Sequence, residues 1–493
     1  MSQREWRKKA SGSPSFCLNA AWTRPVNPAL FTGYVPPACR AVQSQVNLRL
    51  IPMVTAGVTL KPKNKEEPAA SKDKRRGAGV GLLQKLGPGL ITGASDDDPS
   101  GIATYSQVGA RFGYGLLWTM VITYPLMTAI QEISARIGRV TGAGIAANLR
   151  KNYPRPLLYC VLFVVAVANI FNLAADIGAM GAAMQLVLPK TAGVFTVIFG
   201  VGSLAGVMLV PYSTYAKYLK WLTLSLFAYV GVVFFAHVSW KAVLHATVFP
   251  HLELTKEYLT ALIAVLGTTI SPYLFFWQAS QEVEEVRNNH GEKPLKHAPA
   301  QTQEQLGRIH VDTYLGMAFS NIVAFFIILT AAATLHAHGI TDITTSAQAA
   351  QALEPLAGRF AFALFVCGIV GTGLLAVPVL AASVCYGVGE ACRWKASLER
   401  KPAEATRFYA AITVATLIGL SLNFMHIDPV KALFWAAILN GVLAAPLMAV
   451  IMVMASSRKV MGKLVIPYYL KTMGWMATVV MFCACIGVIW TWK

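Results

Sequence analysis

The stretch GLITGASDDDPSGIATYSQVG, residues 89–109, begins as an apolar run that a bilayer accepts. It then sets Asp96, Asp97 and Asp98 side by side, follows them with Pro99, and resumes as Ile102-Ala103-Thr104-Tyr105. Proline removes an amide donor and clashes with the preceding turn, so the carbonyls near it lose their helical partners. In hydrocarbon such groups must be satisfied by protein, water or a bound ion. One carboxylate at the bilayer centre costs about 3 kcal/mol and three cost about 9. Neighbouring carboxylates ~6 Å apart add repulsion of ~3 kcal/mol per pair at an effective dielectric of about 20. No Lys or Arg lies between Lys85 and Arg111 to offset them. Either some of the acids are protonated, or they face water and a cation. Successive helical residues point about 100° apart, so the stretch predicts one direct ligand and one or two acids lining an aqueous vestibule. The alternative is three neutral acids hydrogen-bonded inside a packed bundle.

The rest of the chain sets this stretch in a membrane. Of 493 residues 55% are hydrophobic and 13% charged, against roughly 45–50% and 25% in soluble domains. Apolar runs long enough to span recur along most of the length. They predict an all-α polytopic membrane protein with eleven spans, at 80–111 (broken), 115–137, 156–187, 192–211, 216–240, 258–286 (broken), 311–336, 360–391, 406–425, 430–455 and 468–491. Residues 1–77 hold no span and read as a basic, disordered cytoplasmic tail; Met53 offers a second start, and no signal-peptide core follows the first basic cluster.

The net charge of +19 does not point to nucleic acid, because it is sorted by loop. Fifteen Lys and Arg precede residue 86. With the N-terminus inside, the cytoplasmic loops carry twenty positive residues, Arg136 and Arg139 counted among them, and the opposite loops seven. The positive-inside rule then puts the N-terminus in the cytoplasm of a plasma or inner membrane and the C-terminus outside. The eight cysteines form no CxxC pair and read as small buried hydrophobes.

A second interruption sharpens the reading. GTTISPYLF, residues 267–275, breaks the sixth span at Ser271-Pro272. A lone proline in a membrane helix is ordinarily a kink. Breaks in the first and sixth of ten core spans, however, occupy corresponding positions if residues 78–240 and 241–456 form an inverted repeat, with 457–493 as an additional helix. Matched interruptions of this kind mark a transport site at the midplane.

At these residues the chain resembles the natural resistance-associated macrophage protein (Nramp) family of divalent-metal transporters. GPG at 87–89, with Asp98-Pro99 nine residues after Gly89, resembles the family's GPG…DPGN; ARIGRVTG at 135–142 its second-helix signature; and LGTTISPY at 266–273 its sixth-helix motif, which ordinarily ends Met-Pro-His. The resemblance implies the leucine-transporter fold, with the metal as transported substrate between the two breaks and no resident cofactor. It implies Asp98 as the charged ligand, the Ser95 and Thr268 carbonyls and the Ser271 hydroxyl as direct or water-mediated ligands, and Asn440 in place of the family's helix-10 glutamine; Asp96 and Asp97 join the set as the neighbouring acids read above.

The departures from the family pattern point to a harder ion. Gly101 stands for the asparagine of DPGN and Ser271 for the methionine. A thioether favours transition metals, whereas hydroxyl, carbonyl, carboxylate and water suit Mg2+ and Mn2+. Fewer direct ligands also suit Mg2+, which sheds its waters reluctantly. The chain is thus most similar to the Nramp-related magnesium transporter branch. Tyr273 replaces the sixth-helix histidine, and Asn172 and Ala175 in NLAADIGAM (172–180) replace two acids of the third helix. Asp176 reads as a leftover acid on another face. Without a relay of titratable groups, uncoupled transport is expected.

Among the remaining polar residues, Glu282 and Glu285 read as an inner exit or a solvated helix end, and Glu132, Glu284 and Glu390 are of the same kind. Pro125, Pro378 and Pro446 read as packing kinks, and His336 and His338 as a solvated helix end. A proton-coupled Mn2+/Fe2+ importer and an amino-acid or organic-cation carrier are the rival transporters; three aspartates would repel a substrate carboxylate. No Ser-His-Asp, HExxH or P-loop pattern supports an enzyme.

Overall fold

The computed structural model describes residues 92, 93 and 95–491, apart from 189, 190, 220, 221, 290 and 426. The tail 1–77 and the GPG of 87–89 lie outside the described residues. Within them the chain runs as span 1, whose second half is Pro99–Phe112; span 2, Trp118–Thr141; span 3, Arg155–Met184; and span 4, Ala192–Leu209. Span 5 is cut into Tyr212–Leu219, a 3-10 turn Leu222–Leu226 and Phe227–Val232. Span 6 consists of Lys256–Thr269 and Pro272–Asn288, and span 7 is Thr302–Thr334. Spans 8 to 11 are Ala361–Cys392, Thr406–Leu422, Pro429–Ser456 and Tyr468–Thr491.

Among the described residues eight helices are long and apolar enough to cross a membrane: spans 3, 4 and 6 to 11. The other three fall short for separate reasons. Span 1 is described mainly in its second half, span 5 is in pieces, and span 2 carries Glu132, Arg136 and Arg139 inside its helix. Span 7 likewise starts at Thr302, nine residues before its apolar run, because Gln305, Arg308 and Asp312 extend the helix with polar side chains turned into protein. Hydropathy weighs a side chain against lipid, whereas Glu132, Arg139, Gln305 and Asp312 are buried in protein.

The two halves pack by the same rule. The second half of span 1 lies along span 7, and the second half of span 6 lies along span 2. Exchanging the halves of the chain maps one pair onto the other, and spans 3 and 8, which exchange with each other, also pack together. Two glycines set the approach. A Cβ on Gly138 would fall on the carbonyl of Ala279, so span 2 touches span 6 backbone to backbone. A Cβ on Gly267 would meet Ala437 and Gly441 of span 10. Lipid supplies no hydrophobic drive for helices to associate, so close contact between small residues supplies the van der Waals attraction instead.

Charges counted above as loop residues are structural. Arg139 is fully buried; its guanidinium meets Glu292 at 2.5 Å and lies 3.9 Å from Glu282. Arg308 of span 7 pairs with Glu282 at 2.7 Å and Glu285 at 3.0 Å. The helix ends at Gly142 in the left-handed region, φ 65°, and the amides of Leu295 and Lys296 bond the carbonyls of Arg139 and Val140. The ARIGRVTG signature is therefore a clamp between span 2 and the loop after span 6. Glu282 neither lines an exit nor sits in solvent. Glu284 is held by the Tyr386 hydroxyl at 2.6 Å and the Leu398 amide, Glu132 pairs with Arg136, and Glu390 accepts from the Ala147 amide.

Pro125, Pro378 and Pro446 sit within continuous helices. His336 and His338 are exposed in a 3-10 turn, with His336 against the Ala110 carbonyl. The cysteine expectation is corrected. Of the six described, all unpaired, only Cys385 and Cys485 are buried; Cys160, Cys367, Cys392 and Cys483 face outward. Small apolar side chains suit a lipid-facing surface as well as a core, which the sequence pattern does not separate.

Candidate cation site

The first break is built by the order Asp-Pro-Ser-Gly. Asp98 is extended, φ −73° and ψ 170°, and caps the half-helix that Pro99 begins. Asp is a preferred N-cap and Pro a preferred first helical residue, so the local sequence restarts the helix here. One carboxylate oxygen, Oδ1, accepts from the Ser100 hydroxyl at 2.6 Å and the Gly101 amide at 2.8 Å. The other, Oδ2, accepts from the Asn172 amide at 2.9 Å, with the Tyr273 hydroxyl at 3.4 Å. A carboxylate offers about four lone-pair positions, and the one facing Tyr273 is the least filled.

The second break abuts the first. Ile270 leaves the helical region at φ −117°, ψ 62°, Ser271 is extended, and Pro272 starts the second half-helix. The Ser271 hydroxyl turns back into its own span, 2.9 Å from the Thr268 carbonyl and 3.2 Å from that of Gly267. It thus serves carbonyls freed by the break, and only its lone pairs remain to face an ion. Tyr273 crosses to the first break and donates to the Ser95 carbonyl at 2.9 Å. A Cβ on Gly101 would lie 3.1 Å from the Thr268 hydroxyl oxygen, so an asparagine here would crowd the space between the breaks.

The three aspartates part company. Asp96 and Asp97 face span 7, where the Ser320 hydroxyl lies 2.8 Å from one and 3.0 Å from the other. Each is 2% exposed, as is Asp98. The expectation that they line an open vestibule is corrected, because regular helix ends at Asp96 and helical spacing no longer governs where Asp97 and Asp98 point. Asp96 Oδ1 and Asp97 Oδ2 are buried without hydrogen-bond partners.

Asn440 of span 10 does reach the site. Its amide lies 3.4 Å from Asn172 Oδ1, and its own Oδ1 is buried and unpartnered. The junction therefore gathers Asp98, the Ser95 and Thr268 carbonyls, Ser271, Tyr273, Asn172 and Asn440. Among the described residues no three His, Cys, Asp or Glu side chains converge as a metal cage, so any ion held here takes carboxylate together with neutral oxygen.

The two sides of the junction differ. On the basic-loop side the Thr92 hydroxyl bonds Gln278 of span 6. On the opposite side lies a cavity of about 380 Å³ lined by Ala103, Gln107, Arg111, Glu257, Asp342 and Lys431, among others. Gln107 bridges its wall, donating to Asp342 at 2.9 Å and accepting from the Ile343 amide at 2.8 Å. A smaller void of about 20 Å³, lined by Ala103, Ala179 and Ile343, adjoins it.

Residues 89–491 match the family described as natural resistance-associated macrophage protein-like. The chain belongs to the Nramp family. Among curated relatives, the divalent metal cation transporter MntH of Verminephrobacter eiseniae is 26% identical over 325 residues, 62% of this chain and 68% of the relative. A manganese transporter of Eremococcus coleocola superposes with TM-score 0.64 at 16% identity, over 84% of this chain and 87% of that one. Mhp1, a nucleobase-cation-symport-1 family transporter, gives TM-score 0.50 at 12% identity over 83% and 92%. At these identities the two structures speak for the fold alone, the inverted-repeat transporter architecture; the family match is what makes the chain an integral membrane transporter of divalent metal.

Within this Nramp site, sequence reasoning singled out Asp98, Ser95, Thr268, Ser271 and Asn440, and the fold brings them to one junction. Asp96 and Asp97 lie beside it against Ser320. Asn172 and Tyr273 were read only as lost family residues, yet both touch Asp98. Their polar character in the apolar middle of a span was the available signal.

Proposed function

We propose that the chain is a secondary transporter of hard divalent cations, Mg2+ first and Mn2+ second, that works by alternating access about spans 1 and 6. Residues 78–240 and 241–456 act as its two moving repeats. The basic-loop face is cytoplasmic and the membrane is the plasma or inner membrane. One observation carries the reading: the Asp98 carboxylate stands at the meeting of two interrupted helices among hydroxyl, carbonyl and carboxamide oxygens. That donor set suits Mg2+ and Mn2+ over softer metals. Asp98, Ser95, Thr268, Ser271 and Asn440 are the proposed ligands, directly or through water, and Asp96 and Asp97 add negative potential from the span 7 side.

Transport is uncoupled from protons in this reading. The support is the chemistry of the positions around Asp98, where Asn172 and Tyr273 stand in place of an acid and a histidine, and a tyrosine does not titrate near neutral pH. Purified protein in liposomes is expected to take up Mg2+ and Mn2+ down their gradients with no change of luminal pH. Acidification in proportion to uptake would make the chain a proton-coupled importer.

Ser271→Met in the same assay is expected to lower total flux while raising the ratio of Fe2+ to Mg2+ uptake several-fold. The flux falls because the Thr268 carbonyl loses its hydroxyl donor, worth about 1–3 kcal/mol when buried. The ratio rises because a thioether is added. An unchanged ratio would remove Ser271 from the selectivity argument.

A further inference from the structure

We infer that Asp176 of span 3 is a second cation-binding carboxylate, one helical turn from Asn172 towards the 380 Å³ cavity, and that it shares with Asp98 the two charges of a partly hydrated divalent ion. The inference rests on the reading of Asp98 as the principal ligand.

The position follows from helical spacing. Asn172, Asp176 and Ala179 are separated by four and three residues, so they form one stripe on span 3. At one end of the stripe Asn172 donates to Asp98. At the other, Ala179 lines the small void that shares Ala103, Ile343 and Val430 with the larger cavity. Asp176 lies between them, on the line from the cavity to the breaks. Asp176 stands one position from the family's third-helix acid but a full turn from Asn172, which puts it on the face that meets Asp98.

The surroundings favour an ion over a structural role. Asp176 is fully buried, and neither carboxylate oxygen completes a hydrogen bond. The Ser100 amide lies within its reach, and its charged neighbour is Asp98. Tyr273 is close enough to feel both acids. A second acid as helix cap would be superfluous, since Asp98 already caps that half-helix through Ser100 and Gly101. Two carboxylates facing each other with no cation side chain between them repel, and a divalent ion removes the repulsion. Asn440, whose amide meets Asn172 one turn away on the same stripe, has a buried Oδ1 without a partner. Mg2+ keeps several waters and is held by one or two carboxylates, so Asp176 need not touch the metal.

The test compares full-length wild type, Asp176→Asn, Asp176→Glu and Asp98→Ala. Mg2+ uptake is measured in proteoliposomes, and thermal stability of the purified protein with and without MgCl2. For Asp176→Asn we expect an apparent KM for Mg2+ raised about 10- to 100-fold, the usual cost of an outer-sphere partner. Its melting midpoint without metal should be unchanged or higher, with most of the metal-induced increase gone; Asp176→Glu should recover at least half of that increase.

A structural cap would give the reverse, a lower metal-free midpoint with KM within twofold of wild type, and would overturn the inference. So would a failure of Asp176→Asn to fold when Asp176→Glu folds. Loss of uptake in Asp98→Ala with wild-type behaviour in Asp176→Asn would sink this inference alone, whereas wild-type uptake in Asp98→Ala would sink the site on which it rests.

Discussion

Asp98→Ala is expected to lower Mg2+ and Mn2+ uptake by about 100-fold or more. The carboxylate stands between the two breaks, where it caps one half-helix and meets Asn172, and contacts to a charged group are worth up to about 3 kcal/mol, which is roughly two decades in affinity. The same substitution also removes the N-cap of Pro99–Phe112, at about 1 kcal/mol. It leaves Ser100, Gly101 and Asn172 without their acceptor.

Asp98→Asn separates these effects. Asparagine caps helices as well as aspartate does and keeps the shape, but it carries no charge. We expect Asp98→Asn to melt close to wild type and to transport as poorly as Asp98→Ala. Uptake at the wild-type rate in either variant would mean that the carboxylate is a cap and nothing more.

The second large effect concerns stability. Arg139→Met is expected to destabilise the protein by about 3–5 kcal/mol, the usual cost of removing one partner from a buried ion pair. Arg139 meets Glu292 at 2.5 Å and stands 3.9 Å from Glu282. Glu282 retains Arg308, so Glu292 is the acid left most exposed by the change. Arg139→Met with Glu292→Gln should therefore recover most of the loss, a non-additivity that a simple packing defect would not show. Thermal unfolding followed by size-exclusion chromatography reads both variants. If the single variant melts with wild type, the cluster does not hold span 2 to the loop after span 6.

Hydropathy shows why part of the fold was legible and part was not. Spans 3, 4 and 6 to 11 announce themselves as apolar runs because most of each helix meets lipid or apolar neighbours. The breaks announce themselves because proline removes a donor wherever it stands. Span 2 and the start of span 7 are less plain, since Arg139 and Arg308 are neutralised by residues distant in the chain or on another helix. Arg139 with Glu292 and Arg308 with Glu282 are these pairs. A sliding window sees only the cost of such charges and not the partner that offsets it.

The site divides along the same line. Asp98, Pro99, Ser271 and Pro272 were readable because capping and helix breaking are settled within four residues of chain. That Asp96 and Asp97 turn to Ser320, that Tyr273 reaches the Ser95 carbonyl, and that Asn172 meets both Asp98 and Asn440 depends on five spans packing together. Asp176 is the intermediate case. Its distance of one turn from Asn172 was in the sequence, but that this face of span 3 looks at the first break was not.

The amino-acid sequence by itself determined that the chain lives in a bilayer, where its helices are interrupted, and which carboxylate sits at the first interruption. These are contests between a short segment and its solvent. Only the tertiary structure decided which buried charges have partners and which oxygens are left to face a cation, because a partner distant in the chain is brought near by packing, and packing is not a local property.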